Sequence, residues 1–119
     1  KADVVVVAVP GGSATKHLIN MDIFDAMQGH AIFVNIARGD VVDEAALIRA
    51  LQDGAIGGAG LDVYEFEPKV PAELVTMEHV TLFPHLGTAS LEVRTGMGNM
   101  ALDNIEAFIS GQPPANQVD

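Results

Sequence analysis

Apolar residues follow two rhythms along this chain, and the rhythm switches at regular intervals. "DVVVVAV" (residues 3–9) is a continuous β-branched run of the kind buried on both faces of a parallel sheet, and it predicts a first strand. "NMDIFDAM" (20–27) instead sets Ile23, Phe24 and Met27 on one face of a short helix. "HAIFVNIA" (30–37) returns to strand. In "DEAALIRALQDG" (43–54), Ala46, Leu47, Ala50 and Leu51 form a helical stripe, with Asp43 placed as N-cap and Gly54 as the stop. "IGGAGLDVY" (56–64) and "VTLF" (80–83) predict two further strands. A last helix, capped by Thr88 or Ser90, carries Leu91, Met97, Met100, Ala101, Ile105 and Phe108 until Gly111 and Pro113-Pro114 end it.

Strands alternating with helices at this spacing mean βαβ units, hence an α/β fold with a parallel sheet and flanking helices. Gly57, Gly58 and Gly60 interrupt the third strand, where glycine marks close approach of a ligand or of another stretch of backbone.

Size and charge narrow the possibilities. The 119 residues, 49% hydrophobic, suffice for one core and not for two. Entry directly on a strand of the buried type reads as a domain cut open, with its neighbouring half upstream. A net charge of −10, spread along the chain, disfavours binding to nucleic acid or to an anionic membrane surface, and no apolar run is long enough to span a bilayer. With no cysteine there is no disulfide or thiolate chemistry, as suits a cytoplasmic protein, and scattered carboxylates around single histidines lack zinc-ligand spacing, so no metal is expected.

In open parallel sheets ligands bind beyond the carboxyl ends of the strands. There the sequence puts Pro10, Gly11 and Gly12, then Arg38 with Gly39, then Asp62, Glu65 and Glu67, then His85 with Gly87. Arg38 in mostly apolar "NIARGDVV" must pair internally, with Asp40, Asp43 or Glu44, or face a ligand whose carboxylate it grips in two-point geometry. His85 in "FPHLGTAS" has Pro84 fixing its approach and a strand-end carboxylate at hand, a combination suited to a proton donor near neutral pH. His17, His30 and His79 have no such company and are expected to be satisfied loop or core histidines.

Three segments in order, "VNIARGDVVDEAALIRAL", "GAGLDVYEFEP" and "VTLFPHLGTAS", resemble the second half of the nucleotide-binding domain of the D-isomer-specific 2-hydroxyacid dehydrogenases, closest to the glyoxylate/hydroxypyruvate reductases. The resemblance covers essentially the whole chain and implies half of a Rossmann-type, doubly wound parallel sheet, residues 1–119 being the carboxyl-terminal part of an NAD(P)-binding domain. It implies that Arg38 binds the carboxylate and carbonyl of a 2-oxo acid, that Glu67 rather than Glu65 pairs with the histidine, and that His85 gives a proton to the carbonyl oxygen as hydride arrives from NADH or NADPH. Asp62 is implied to face the nicotinamide end, and Val9, Pro10 and Ile36, with Gly87 and Thr88, to line the cofactor, which Arg38 and His85 also border.

The family's G-x-G-x-x-G phosphate turn does not occur in these 119 residues, nor does a substrate domain. The piece alone is therefore expected to be inactive and to self-associate or swap elements, the full protein being a homodimer. A competing expectation is a non-catalytic, nucleotide-sensing regulatory scaffold of the same fold.

Overall fold

Short runs of small and β-branched residues supply four strands: β1 (Val4–Val7), β2 (Ile32–Asn35), β3 (Gly58–Leu61) and β4 (Val80–Leu82). They pair in parallel in the order β1-β2-β3-β4, with Val4 beside Ile32 and Ile32 beside Gly58. This computed structural model describes residues 2–118, in two units, one ending at Leu86 and the other beginning at Gly87.

In the first unit, side chains alternate across the sheet as the pleat requires. Val7, Phe33, Asn35, Ala59 and Leu61 turn to one face and are buried there with residues of α1 (Met21–Asp25) and α2 (Glu44–Gln52). Phe24 of α1 meets Phe33 edge-on, with ring centroids 5.2 Å apart and planes at 83°. Both rings are fully buried, so truncating either to alanine should cost about 3–5 kcal/mol. The other face differs from the expectation of a strand buried on both sides. Val4 and Val6 are each 54% exposed and Ile32 39%, because within this unit α1 and α2 cover one face only.

The ends of α2 follow from local chemistry. Asp43 accepts a hydrogen bond from the Ala46 N–H at 3.1 Å, satisfying one of the first-turn donors. At the other end Gly54 takes φ +68°, and the N–H of Ala55 reaches the Ala50 carbonyl at 2.9 Å, a Schellman stop that glycine permits at little cost.

Two short elements escape the sequence pattern: a 3-10 turn at Gly39–Val41 and the helix α3 (Ala72–Thr76), five residues with only Leu74 buried. The strands are also shorter than the apolar runs that predict them. As for the strand glycines, a Cβ on Gly57 would stand 2.7 Å from the His30 carbonyl oxygen and one on Gly58 2.6 Å from that of His79. These two serve close backbone packing.

The second unit is built on α4 (Leu91–Ile109). Ser90 rather than Thr88 is its cap, accepting from the Val93 N–H at 3.2 Å. Gly111, at φ +69°, ends it with the Gln112 N–H on the Ala107 carbonyl. Paired amides of Asn104 and Asn116 fold the following segment back along the helix.

Candidate active site

Arg38 owes its placement to a buried asparagine. Asn35, the last residue of β2 and 2% exposed, accepts from the Ala37 N–H through Oδ1 at 3.0 Å and donates through Nδ2 to the Arg38 carbonyl at 3.2 Å. The chain is thereby folded over just past the strand and Arg38 comes out exposed at the sheet's carboxyl edge. Its Nη1 donates to the Ala37 carbonyl at 2.7 Å. The pairing with Asp40, Asp43 or Glu44 that the sequence left open does not form; among the described residues Arg38 makes no ion pair. Glycines on either side make room for it. A Cβ on Gly11 would press to 2.8 Å from Arg38 Cγ, and one on Gly39 would overlap the Tyr64 carbonyl.

The segments after β3 and β4 are tied together by three side chains. Asp62 accepts from the Leu86 N–H at 2.7 Å, and the Tyr64 hydroxyl donates to the Phe83 carbonyl at 2.8 Å. Glu67 takes the Tyr64 N–H on Oε1 at 3.1 Å, while its Oε2 lies 3.0 Å from Nδ1 of His85. A carboxylate only accepts, so Nδ1 carries the hydrogen and Nε2 is the second ring nitrogen left for other work. The hydrogen bond from His85 holds the Glu67 carboxyl below the usual carboxylate range; the Tyr64 N–H and the charges of His85 and Arg38 act in the same direction, against partial burial. His85 adopts φ +56°, a left-handed backbone that non-glycine residues seldom take outside sites where the surroundings impose it.

Arg38, Glu67 and His85 line one cleft of about 370 Å³, together with Gly39, Tyr64 and Glu65. Arg38 also forms the wall of a second cleft of about 640 Å³, whose other sides are Val9, Pro10, Gly11, Gly12 and Ile36. That volume lies within the range of small-molecule sites, roughly 300–1,000 Å³. Its lining suits a flat, partly apolar ring system: Val9 and Ile36 expose hydrocarbon, and the glycine backbone lets a ligand come close. The structure thus brings Arg38, Glu67 and His85 together and sets Val9, Pro10 and Ile36 beside Arg38. Asp62 lies under the His85 segment through its bond to Leu86, and Gly87 and Thr88 open the second unit. Glu65, on the same cleft, pairs with His17 and not with His85. Asn35 and Tyr64 went unnoticed in the sequence, although an asparagine closing an apolar run and the only tyrosine of the chain were visible signals.

Residues 1–87 match the model of the D-isomer specific 2-hydroxyacid dehydrogenase NAD binding domain. The chain belongs to that family. A glyoxylate reductase of Pyrococcus horikoshii is 46% identical over 119 residues, covering 100% of this chain and 36% of that protein. A hydroxyphenylpyruvate reductase of Plectranthus scutellarioides is 45% identical over 112 residues, covering 94% of this chain and 36% of its own length. Among solved structures, the NADPH-dependent glyoxylate/hydroxypyruvate reductase of Sinorhizobium meliloti, crystallised with NADP and malonate, superposes with a TM-score of 0.89 at 44% identity over 91% of this chain and 34% of that one. This chain therefore spans about a third of the length of these family members. Among the described residues no helix is long and apolar enough to cross a membrane.

Proposed function

We propose that the chain is the carboxyl-terminal half of an NAD(P)-binding Rossmann domain, in a reductase that converts a 2-oxo acid such as glyoxylate or hydroxypyruvate to the D-2-hydroxy acid. The observation that carries this reading is the 3.0 Å bond between His85 and Glu67 in a cleft that Arg38 also lines. The names of the relatives support the substrate class.

Each residue has a task in this mechanism. The nicotinamide cofactor, when bound, supplies the hydride or takes it back. Val9, Pro10 and Ile36 would hold that end of it along the larger cleft. Arg38 grips the substrate carboxylate with two parallel N–H donors and leans on the neighbouring carbonyl, favouring negative charge on its oxygen. His85 gives the proton on Nε2 to that oxygen and recovers it in the reverse direction. Glu67 fixes the ring and its tautomer through Nδ1. The proposal extends to a cytoplasmic homodimer.

The test is an assay of the full-length protein that carries this chain with NADH and NADPH against glyoxylate, hydroxypyruvate and pyruvate. Turnover of at least one 2-oxo acid supports the proposal. Tight cofactor binding with no turnover of any would support a regulatory scaffold instead.

A further inference from the structure

We propose that His17 is a positioning residue, clamping the turn that carries Arg38 to the turn that carries Glu67 and so setting the distance between the substrate-gripping cation and the acid–base pair. The inference rests on the roles given to Arg38, Glu67 and His85 above, and it adds a group that touches neither substrate nor cofactor.

His17 lies in the loop between β1 and α1, yet both of its ends are anchored in the site. Its backbone N–H donates to the Asp40 carbonyl at 2.8 Å, two residues beyond Arg38. Its ring Nε2 lies 2.7 Å from Oε1 of Glu65, two residues before Glu67. Glu65 is in turn clasped by the first residue of α2: Glu65 Oε2 accepts the Glu44 N–H at 3.4 Å, and Glu44 Oε1 accepts the Glu65 N–H at 3.3 Å. The two turns also touch where Gly39 lies against the Tyr64–Glu65 peptide, a contact with no room for a side chain. That contact and the Glu44–Glu65 clasp hold the Glu65 end of the turn, but neither reaches the loop before α1. His17 adds a separate tie, its backbone on the Asp40 carbonyl of one turn and its ring on the Glu65 carboxylate of the other.

The residue type is informative. His17 takes φ +51°, a left-handed conformation for which glycine or asparagine would be the ordinary choice. A histidine there is disfavoured by its backbone and retained with its ring on a carboxylate only 13% exposed. Glu65 is itself a wall of the cleft that holds Arg38 and His85, so its displacement would be felt there directly.

The experiment uses the full-length protein that carries this chain and compares wild type with H17N, which tolerates the backbone but cannot reach Glu65, E65A, which removes the acceptor, and E65Q, which keeps an acceptor oxygen. Well below the melting temperature, H17N and E65A should each raise KM for the 2-oxo acid and lower kcat by about fivefold or more, since small misplacements of positioning groups cost rate steeply. Their dissociation constants for whichever of NADH and NADPH the wild type uses should stay within about twofold of wild type, and E65Q should recover most of the loss. If H17N does not fold, E65D, which keeps the charge but shortens the reach, is read in its place with the same expectation. Unchanged KM and kcat in these folded variants, whatever their melting temperatures, would overturn the clamp. H85N serves as control. Turnover surviving in H85N would mean that the acid–base reading itself has failed, whereas a dead H85N beside a wild-type-like H17N would condemn the clamp alone.

Discussion

Glu67 spans two segments with its two oxygens: Oε1 holds the Tyr64 N–H at 3.1 Å and Oε2 holds Nδ1 of His85 at 3.0 Å. One side chain therefore fixes both the turn it stands on and the tautomer of the proposed proton donor. E67Q keeps an oxygen for Tyr64 but turns an NH2 toward Nδ1 of His85, so the ring no longer has an acceptor holding the hydrogen there, and kcat/KM for 2-oxo acid reduction should fall by about 10–100-fold. Steady-state kinetics, with cofactor affinity measured separately, check this.

The same carboxyl links the site to stability. Its titration is pulled below the ordinary 4.5 mainly by the hydrogen bond from His85. A carboxyl with a lowered value in the folded state stabilises the fold above its unfolded value and loses that contribution as pH falls through the lowered one. The stability difference between wild type and E67Q in urea should therefore shrink on acidification below the ordinary carboxylate range. A difference that grows as pH falls would contradict the assignment.

Arg38 is exposed, makes no ion pair among the described residues and reaches both clefts. Lysine in its place would keep the charge and lose the planar fork. R38K should raise KM for the 2-oxo acid by about tenfold or more while leaving the melting temperature nearly unchanged. Equal KM values in the two proteins would remove the two-point grip.

Two glycines should respond differently to the same substitution. G39A drives a methyl group into the Tyr64 carbonyl and should cost about 2–3 kcal/mol of stability, along with activity, because the Arg38 and Glu67 turns are pushed apart. G54A meets open space and suffers only its left-handed φ of +68°, about 1 kcal/mol, with kinetics unaltered. Denaturant unfolding and turnover of both variants separate the two effects.

The fold was readable where apolar rhythm and end chemistry agree, as at Asp43, Gly54 and the valine run of β1. Which face of that run the first unit buries was not readable, because β-branched continuity does not say which face a helix covers: Val5 and Val7 turn inward while Val4 and Val6 are exposed. The helix α3 stayed hidden, since five residues with one buried leucine give no period. At the site, strand-end logic brought Arg38 and His85 to one edge, and the family resemblance, not spacing, chose Glu67 over Glu65. What local sequence could not supply was the cross-chain bonding. The hydrogen bonds from Tyr64 to Phe83, from Leu86 to Asp62 and between His17 and Glu65 join residues 19, 24 and 48 positions apart, which no local pattern encodes.

Proton transfer by His85 is tested most directly by the rate of glyoxylate or hydroxypyruvate reduction by H85N in the full-length protein that carries this chain, with saturating NAD(P)H and with folding verified by its melting curve. Asparagine tolerates the φ of +56° but cannot give up a proton near neutral pH. A fall in kcat of about 10²-fold or more, with cofactor affinity retained, is the predicted result. Turnover within a few-fold of wild type would contradict it.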